Sequence, residues 1–213
     1  MKKVMNAAIE IIFRSLYHSF AWSYNFVANF VSGGDWFTWL STIIEFLPKQ
    51  GNVLELGFGT GYLLKLFSQS EIKITGIDKS KQMVNQTRNR FRTDQFPDIV
   101  RGTAFEIPFA DISFDYVIST FPSEYIFSQS CIREVLRILR PGGKLIILLS
   151  VIPGKFNILS LFGRVFLNYN NKKIPRILLM EKISTAFYPQ PVEIVWKTKD
   201  NADLCFILIK KDE

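Results

Sequence analysis

The chain has very few of the residues that bind transition metals or form disulfides. It has one histidine, His18, and two cysteines, Cys131 and Cys205, among 213 residues. A structural zinc site takes about four clustered Cys or His ligands, so we expect no metal site. The two cysteines lie far apart, in a predicted helix and a predicted strand, and we expect them to be buried free thiols of a reducing compartment.

Long apolar runs are also missing. No segment reaches the roughly 18 uninterrupted apolar residues of a membrane-spanning helix. Glu10 and Arg14 interrupt the apolar run that follows the basic start, so no secretory signal is predicted. A hydrophobic content of 48%, with 15% aromatic residues, excludes a disordered chain. We therefore expect a folded cytoplasmic protein, with peripheral membrane attachment left open.

The positive charge is unevenly distributed. The chain has a net charge of +7, and residues 133–182 alone hold ten Lys or Arg against two Glu. Within this region the segment 155–182 is both basic and apolar, which suits a membrane interface or an amphipathic anionic substrate. An ordinary helix with its apolar side on a sheet and its basic residues in water has the same composition. Peripheral membrane contact through 155–182 is therefore one of two open interpretations.

The most informative segment is residues 53–61, VLELGFGTG. Its apolar start predicts a buried parallel strand. Residues 62–68 then put Leu63, Leu66 and Phe67 on one face of a predicted helix. Three glycines at alternate positions lie between the strand and the helix. At this place an open α/β sheet binds the polar part of a nucleotide-like cofactor.

Two acids indicate which kind of cofactor the glycine loop suits. Glu55 comes two residues before Gly57, where a carboxylate would repel a pyrophosphate and attract an ammonium group. Residues 72–78 predict a second strand that ends in Asp78, and a carboxylate there can accept hydrogen bonds from both hydroxyls of a ribose. S-adenosylmethionine carries an ammonium, a sulfonium, a ribose and an adenine, but no phosphate. The two acids therefore favour it over a nicotinamide dinucleotide.

Four segments resemble successive motifs of the class I S-adenosylmethionine-dependent methyltransferases: VLELGFGTG, GIDKS, GTAFEIPFADISFDYVIST and REVLRILRPGGKLIILL. The pattern is most similar to the small-molecule branch, which includes the ubiquinone and menaquinone enzymes. The resemblance runs from about residue 51 to residue 151. It implies S-adenosylmethionine as the cofactor and, as the partner, a small, hydrophobic or amphipathic methyl acceptor.

Strands alternate with helices along the chain, which predicts a Rossmann-like, doubly wound α/β fold. We expect a helical lid segment over residues 1–47 and one sheet domain over 48–213. The closing strands, 191–198 and 204–210, are joined by a turn too short for a crossover helix, so this hairpin must be antiparallel. The seven-stranded sheet is otherwise parallel, with strands from residue 53 and at 72–78, 99–102, 116–120 and 144–151. Helices are predicted at 36–46, 79–91, 128–139, 156–169 and 176–185, and a turn at 140–143.

The resemblance also implies a set of cofactor-binding residues. Glu55 would orient the ammonium and Asp78 would bind the ribose, with a strand-end acid and a helix N-cap as their structural alternatives. In the family an acid often follows the glycine equivalent to Gly102, and here that residue is Thr103, a weaker acceptor. The full set is Glu55, Gly57, Phe58, Gly59, Gly61, Asp78, Lys79, Met83, Thr103, Ala104, Phe105 and Ser119.

The acceptor should meet the methyl group beside residues 119–125, STFPSEY, which follow the fourth strand. Glu124 and Tyr125 are candidate acceptor-facing groups, and an exposed loop carboxylate is the alternative for Glu124. His18 is a candidate general base, with a hydrogen-bonded structural histidine as its alternative. The N-P-P-Y motif of enzymes that methylate amino groups of DNA and proteins is absent, since residues 120–123 are TFPS.

The predicted activity is in-line methyl transfer, in which the protein mainly aligns the reactants and excludes water. A nucleic-acid methyltransferase is an alternative because the isoelectric point is near 9.4, although the apolar character of the basic segment disfavours it. Two further alternatives are a non-catalytic cofactor-binding protein, which Thr103 mildly favours, and a nicotinamide oxidoreductase. The sequence predicts neither the acceptor atom nor the oligomeric state.

Overall fold

A computed structural model describes residue 29 and residues 32–68, 70–91, 97–153 and 176–212. His18, most of the proposed lid and residues 155–175 of the basic segment lie outside these ranges, as does the helix predicted at 156–169. The predicted helix at 36–46 is divided into helix α1, Trp36–Ser41, and a 3-10 helix, Thr42–Phe46. The Ser32 hydroxyl accepts a hydrogen bond from the Trp36 N–H at 2.9 Å, which satisfies one unpaired donor at the start of α1.

Within the part of the chain that the structure describes, seven strands form one sheet in the order β3, β2, β1, β4, β5, β7, β6. Strands β1 to β5 pair in parallel, and β7 is antiparallel to both β5 and β6, as predicted. The strands are β1 Gly51–Leu56, β2 Ile72–Asp78, β3 Asp98–Arg101, β4 Phe114–Thr120, β5 Leu139–Pro153, β6 Val192–Lys199 and β7 Ala202–Lys210. The helices that follow α1 are α2 Tyr62–Phe67, α3 Lys81–Arg90, α4 Gln129–Ile138 and α5 Arg176–Phe187, with a second 3-10 helix at Glu124–Phe127.

The closing hairpin is made by a two-residue turn. Asp200 and Asn201 connect β6 to β7 with φ angles of +48° and +60°. Positive φ at both central positions is the requirement of the type I′ turn, whose twist matches that of the two strands. Asp and Asn tolerate this conformation better than other side chains, so the predicted turn is confirmed with a local reason.

The turn predicted at 140–143 is wrong, because these residues lie inside β5. Phe114 pairs with Leu139 and Tyr116 pairs with Lys144, so the register shifts between the two pairs. A Cβ on Gly143 would lie 2.8 Å from the Arg140 carbonyl oxygen, which shows how tightly the backbone bends here. The Pro-Gly-Gly sequence therefore marks an irregularity within a strand instead of its beginning.

Helices cover both faces of the sheet, which confirms the doubly wound arrangement. On one face α1 and α2 contribute buried side chains such as Trp39 and Leu64. On the other face α4 and α5 contribute Val135 and Phe187. One detail of α2 differs from the expectation: Leu66 is 41% exposed, and Leu64 takes its place on the buried side together with Leu63 and Phe67.

Both cysteines are buried and neither forms a disulfide, as predicted. Burial, together with the nearby charge of Glu134, raises the pKa of the Cys131 thiol to about 12. A thiol with so high a pKa is unreactive at neutral pH. Among the described residues, no group of three or more His, Cys, Asp or Glu is arranged to hold a metal ion.

Arg137 of α4 fastens the loop between β3 and β4. Its guanidinium donates to both carboxylate oxygens of Glu134, to the carboxylate of Asp111, and to the carbonyl oxygens of Ile107 and Phe109, all at 2.7–2.9 Å. These bonds use all five N–H groups that a guanidinium offers. Glu134 in turn accepts the Ile107 N–H at 2.7 Å. The loop is therefore held to α4 from both its backbone and its side chains.

Replacing Arg137 with lysine should lower the free energy of unfolding by about 2 kcal/mol, because one ammonium cannot replace five oriented donors and leaves acceptors unpaired. Urea unfolding followed by circular dichroism measures the change. Arg133→Lys, at an exposed position of the same helix, is the matched control and should change stability by less than about 0.5 kcal/mol. Equal losses in both variants would contradict this role of Arg137.

Candidate functional site

The carboxyl ends of β1, β2 and β4 meet at one edge of the sheet, and the glycine turn lies between them. β1 has β2 on one side and β4 on the other. The Gly57 N–H donates to the Ile77 carbonyl of β2 at 2.8 Å. The Ser119 hydroxyl of β4 donates to the Leu56 carbonyl of β1 at 2.8 Å. The turn is thus tied to both neighbouring strands at the edge where α/β proteins bind ligands.

All three glycine N–H groups of the turn are bonded within the protein. The Gly57 N–H is taken by β2, the Gly59 N–H donates to Asp78 Oδ2 at 2.8 Å, and the Gly61 N–H donates to the Phe58 carbonyl at 2.9 Å. A dinucleotide-binding loop instead directs backbone N–H groups at a pyrophosphate. These three donors are therefore not available as a phosphate cradle.

The three glycines have different surroundings, although all have positive φ. A Cβ on Gly61 would lie 2.5 Å from Thr87 Cγ2, so this glycine lets α3 pack against the turn. A Cβ on Gly57 would lie 3.1 Å from the Tyr125 hydroxyl. A Cβ on Gly59 would meet no described atom within 4 Å. Gly59 therefore borders open space, and Gly61 serves the packing of the fold.

Asp78, at the end of β2, is 6% exposed and accepts two backbone hydrogen bonds. Its Oδ2 takes the Gly59 N–H and its Oδ1 takes the Ser80 N–H, both at 2.8 Å. The N-cap of α3 is Ser80, whose hydroxyl accepts the Met83 N–H at 3.3 Å. Burial raises the pKa of Asp78, and the two backbone hydrogen bonds oppose this rise. Ser80, and not Asp78, is thus the N-cap of the helix, which excludes the helix-cap alternative for Asp78. The Asp78 carboxylate instead fixes the glycine turn through its bond from Gly59.

Glu55, at the end of β1, is 2% exposed, and its Oε2 has no hydrogen-bond partner among the described residues. Burial, and then the nearby charge of Asp78, raise the pKa of Glu55 well above its ordinary value. An unpaired buried carboxylate oxygen is costly. A positive group bound beside these two carboxylates would remove that cost. The pair therefore fits a cationic ligand, as the ammonium of the expected cofactor requires.

The raised pKa of Glu55 predicts how stability depends on pH. The folded protein holds this proton more tightly than the unfolded chain does, so stability falls as pH rises from the ordinary value of 4.5 to the folded pKa. Relative to Glu55→Gln, the wild type should lose up to about 1.4 kcal/mol of unfolding free energy per pH unit over that range. Urea unfolding at a series of pH values measures the difference. If the unfolding free energies of the two proteins changed with pH in parallel, the raised pKa of Glu55 would be contradicted.

The loop after β3 carries the residues expected near an adenine. The Thr103 hydroxyl accepts the Phe105 N–H at 3.3 Å, and the Thr103 carbonyl accepts the Glu106 N–H at 3.4 Å. The Phe105 side chain is 46% exposed. Ala104 packs at the edge of the core that includes Ile107. The Thr103 hydroxyl thus already shapes the loop, a role that its place in the motif did not indicate.

The other four residues of the expected set are three with buried side chains and one, Lys79, with an exposed side chain. The Phe58 ring is 4% exposed and fills the space beside Gly76, where a Cβ would lie 2.7 Å from it. Met83 and Ser119 are fully buried. The Lys79 side chain is exposed, and its carbonyl accepts a hydrogen bond from Arg101 at 3.3 Å. Phe58, Met83 and Ser119 therefore contribute to this edge mainly through packing and hydrogen bonds within the protein, whereas Lys79 presents its side chain to solvent.

On the acceptor side, Tyr125 lies against the glycine turn and Glu124 is exposed. The Tyr125 hydroxyl is 3.3 Å from Ser119 Oγ and 3.4 Å from the Leu56 carbonyl oxygen. Sequence reasoning missed Phe121, which has a φ of +47° and stacks on Trp36 with ring centroids 4.9 Å apart. The only sequence signal for Phe121 was its position directly after β4, at the edge where α/β proteins bind ligands. Its positive φ and its stacking on Trp36 could not be read from the sequence.

The comparisons with known proteins agree with this geometry. A family model described as a methyltransferase domain matches residues 54–147. A demethylmenaquinone methyltransferase from Tropheryma whipplei is 27% identical over 200 residues, which cover 92% of this chain and 80% of that protein. These matches support a class I S-adenosylmethionine-dependent methyltransferase similar to the quinone methyltransferases. The predicted family, reaction and cofactor are thereby confirmed, and the nicotinamide oxidoreductase alternative is set aside.

Two further proteins are similar to this methyltransferase over a smaller share of their own length. A ubiquinone/menaquinone biosynthesis C-methyltransferase from Desulfotalea psychrophila is 30% identical over 143 residues, 66% of this chain and 57% of that protein. The structure of phosphoethanolamine N-methyltransferase 2 from Haemonchus contortus with S-adenosyl-L-methionine matches with a TM-score of 0.60 at 20% identity. That match covers 88% of this chain and 56% of the other, and it supports the fold.

Proposed function

We propose that this methyltransferase transfers the methyl group of S-adenosylmethionine to a small quinol-type acceptor. The observation that supports the donor site is a pair of buried carboxylates, Glu55 and Asp78, beside a turn whose three glycine N–H groups are already bonded within the protein. In this assignment Glu55 attracts the ammonium, and Asp78 accepts hydrogen bonds from the ribose hydroxyls. The loop from Thr103 to Phe105 borders the adenine. The bound donor would supply the methyl group of its sulfonium, and the sulfur would leave as a neutral thioether.

Two findings support the acceptor class. Relatives of the chain are named for demethylmenaquinone and for ubiquinone/menaquinone biosynthesis. The carboxyl end of β4 also carries an aromatic pair, Phe121 on Trp36, and a flat apolar ring packs well against such a surface. The residues of the chain would then align the acceptor with the methyl group and keep water out.

A nucleic-acid acceptor has less support. Arg137 is paired with Asp111 and Glu134, and Arg140 with Asp115 at 2.7 Å. These two cations of the basic region are thus partly neutralised by acids, whereas binding to nucleic acid relies on cations that neutralise phosphates. A salt-steep affinity for RNA or DNA would favour this alternative again.

Attachment to a membrane surface stays a prediction for the segment 155–182. Residues 155–175 of it are outside the described ranges, and the last seven residues belong to α5. Among the described residues no helix is long and apolar enough to cross a bilayer. Flotation with anionic and neutral vesicles would test peripheral binding, and equal recovery with both would contradict an electrostatic contribution.

Calorimetry with S-adenosylhomocysteine and with NADH tests the donor site. We expect a dissociation constant for S-adenosylhomocysteine at or below about 100 μM, within the usual range for enzyme ligands, and no measurable binding of NADH. Folded protein that binds neither ligand would contradict the donor assignment. Transfer of a labelled methyl group to demethylmenaquinol with a short isoprenoid chain then tests the acceptor class. Donor binding without transfer would contradict only that class.

A further inference from the structure

Phe121 adopts a backbone conformation that aromatic residues rarely take. Its φ is +47°, in the left-handed region where a Cβ costs free energy. The conformation is held by a hydrogen bond of 2.7 Å from the Phe121 N–H to the Leu148 carbonyl of β5. Backbone strain of this kind is concentrated at functional sites, where the surrounding structure maintains it.

The Phe121 ring is fixed by a second element. It stacks on Trp36 of α1 at an interplanar angle of 24°, and Trp36 is 3% exposed. α1 is itself held on α2, since the Ser41 and Tyr62 hydroxyls are 3.1 Å apart. Phe121 remains only partly buried. Part of an immobilised aromatic surface is therefore accessible.

The position of Phe121 places this surface beside the glycine turn. Ser119, two residues earlier, bonds the carbonyl of Leu56 at the end of β1. Tyr125, four residues later, lies 3.1 Å from the place of a Cβ on Gly57. The segment between these two contacts runs along the end of β1, where the reactive part of a bound donor would lie.

We infer that Phe121 is a specificity-determining residue that packs against the flat ring of the methyl acceptor, with Trp36 as its rigid support. This inference rests on the proposed function. A fixed aromatic wall binds a flat ring with little loss of side-chain entropy. It also disfavours small charged acceptors, because their polar groups would lose water without gaining partners. The chain should therefore discriminate against an acceptor such as phosphoethanolamine.

Phe121→Leu tests this role, because leucine is apolar and also unbranched at Cβ but lacks the flat ring. The KM for demethylmenaquinol with a short isoprenoid chain should rise about tenfold, which corresponds to about 1.4 kcal/mol. The dissociation constant of S-adenosylhomocysteine should stay within about twofold, because in this assignment the ring contacts the acceptor and not the donor. Phe121→Tyr, which keeps the ring, should retain a KM near that of the wild type.

Phe127→Leu is the matched control. Phe127 belongs to the neighbouring 3-10 helix and packs edge-on against Phe187 in the core on the other face of the sheet. A purely structural role of Phe121 would give both leucine variants the same loss of stability and the same KM. That result would overturn the inference while the proposed function stands. Wild-type protein that binds S-adenosylhomocysteine but does not methylate the quinol would overturn the inference together with the proposed acceptor class, while the donor assignment stands.

Discussion

Asp78→Asn should weaken the binding of S-adenosylhomocysteine about 100-fold, or about 2.7 kcal/mol. The carboxylate accepts the N–H groups of Gly59 and Ser80 and is assigned to the ribose hydroxyls as well. An amide has one acceptor oxygen, so one of these donors would face an NH₂ group. Hydrogen bonds to a charged acceptor each contribute about 1.5–3 kcal/mol. Calorimetry with purified variants measures the loss.

Asp98→Asn is the matched control for this experiment. Asp98 is exposed at the amino end of β3, so the same chemical change is made away from the glycine turn. Its affinity for S-adenosylhomocysteine should equal that of the wild type, and circular dichroism should show both variants folded. An Asp78→Asn protein that binds within about threefold of the wild type would refute the ribose assignment.

Gly61→Ala should have the largest effect on stability, a loss of about 3 kcal/mol. The new Cβ would lie 2.5 Å from Thr87 Cγ2 and 2.9 Å from Thr87 Oγ1, at a φ of +72°. Thr87 is fully buried and β-branched, so it cannot rotate away easily. Overpacking contributes about 1–3 kcal/mol and the left-handed conformation about 1–2 kcal/mol. Urea unfolding measures the sum.

Gly59→Ala is the matched variant within the same turn. Its φ is +53°, but its Cβ would meet no described atom within 4 Å. We expect a loss of only about 1 kcal/mol of stability from the backbone conformation, together with weaker donor binding because the methyl group enters the open space. Adding Thr87→Ala to Gly61→Ala should recover more than half of the lost stability. Equal stability losses in the two alanine variants would show that packing against Thr87 is unimportant.

Local pattern was sufficient for the order of the elements. A buried apolar run, a glycine turn and an amphipathic helix have distinct periods, and each depends on neighbouring residues only. The closing hairpin followed from the same reasoning, since Asp200 and Asn201 leave no room for a crossover helix. The positions of Glu55 and Asp78 at the ends of adjacent parallel strands were also predictable. The roles of these two carboxylates toward the donor stay predictions.

Packing between distant segments was beyond such reasoning. Leu66 has the right spacing for the buried face of α2, yet it is exposed, because the direction in which a helix faces the sheet depends on what lies beneath it. The Phe58 ring points into the core beside Gly76 because that glycine leaves a space on β2. The continuation of β5 through residues 140–143 depends on pairing with β4.

The residues alone predict a phosphate-free donor site and its place at the carboxyl edge of a doubly wound sheet, because charge, glycine spacing and the order of the elements along the chain are local properties. The folded chain adds the parts that join residues far apart. It engages every glycine N–H of the turn and packs Gly61 against Thr87. Among the described residues, no atom lies within 4 Å of a Cβ on Gly59, and Glu55 Oε2 has no hydrogen-bond partner. It also brings Trp36 onto a strained Phe121. Only the tertiary structure decides such features, because the interactions that stabilise them join residues that are far apart in the sequence.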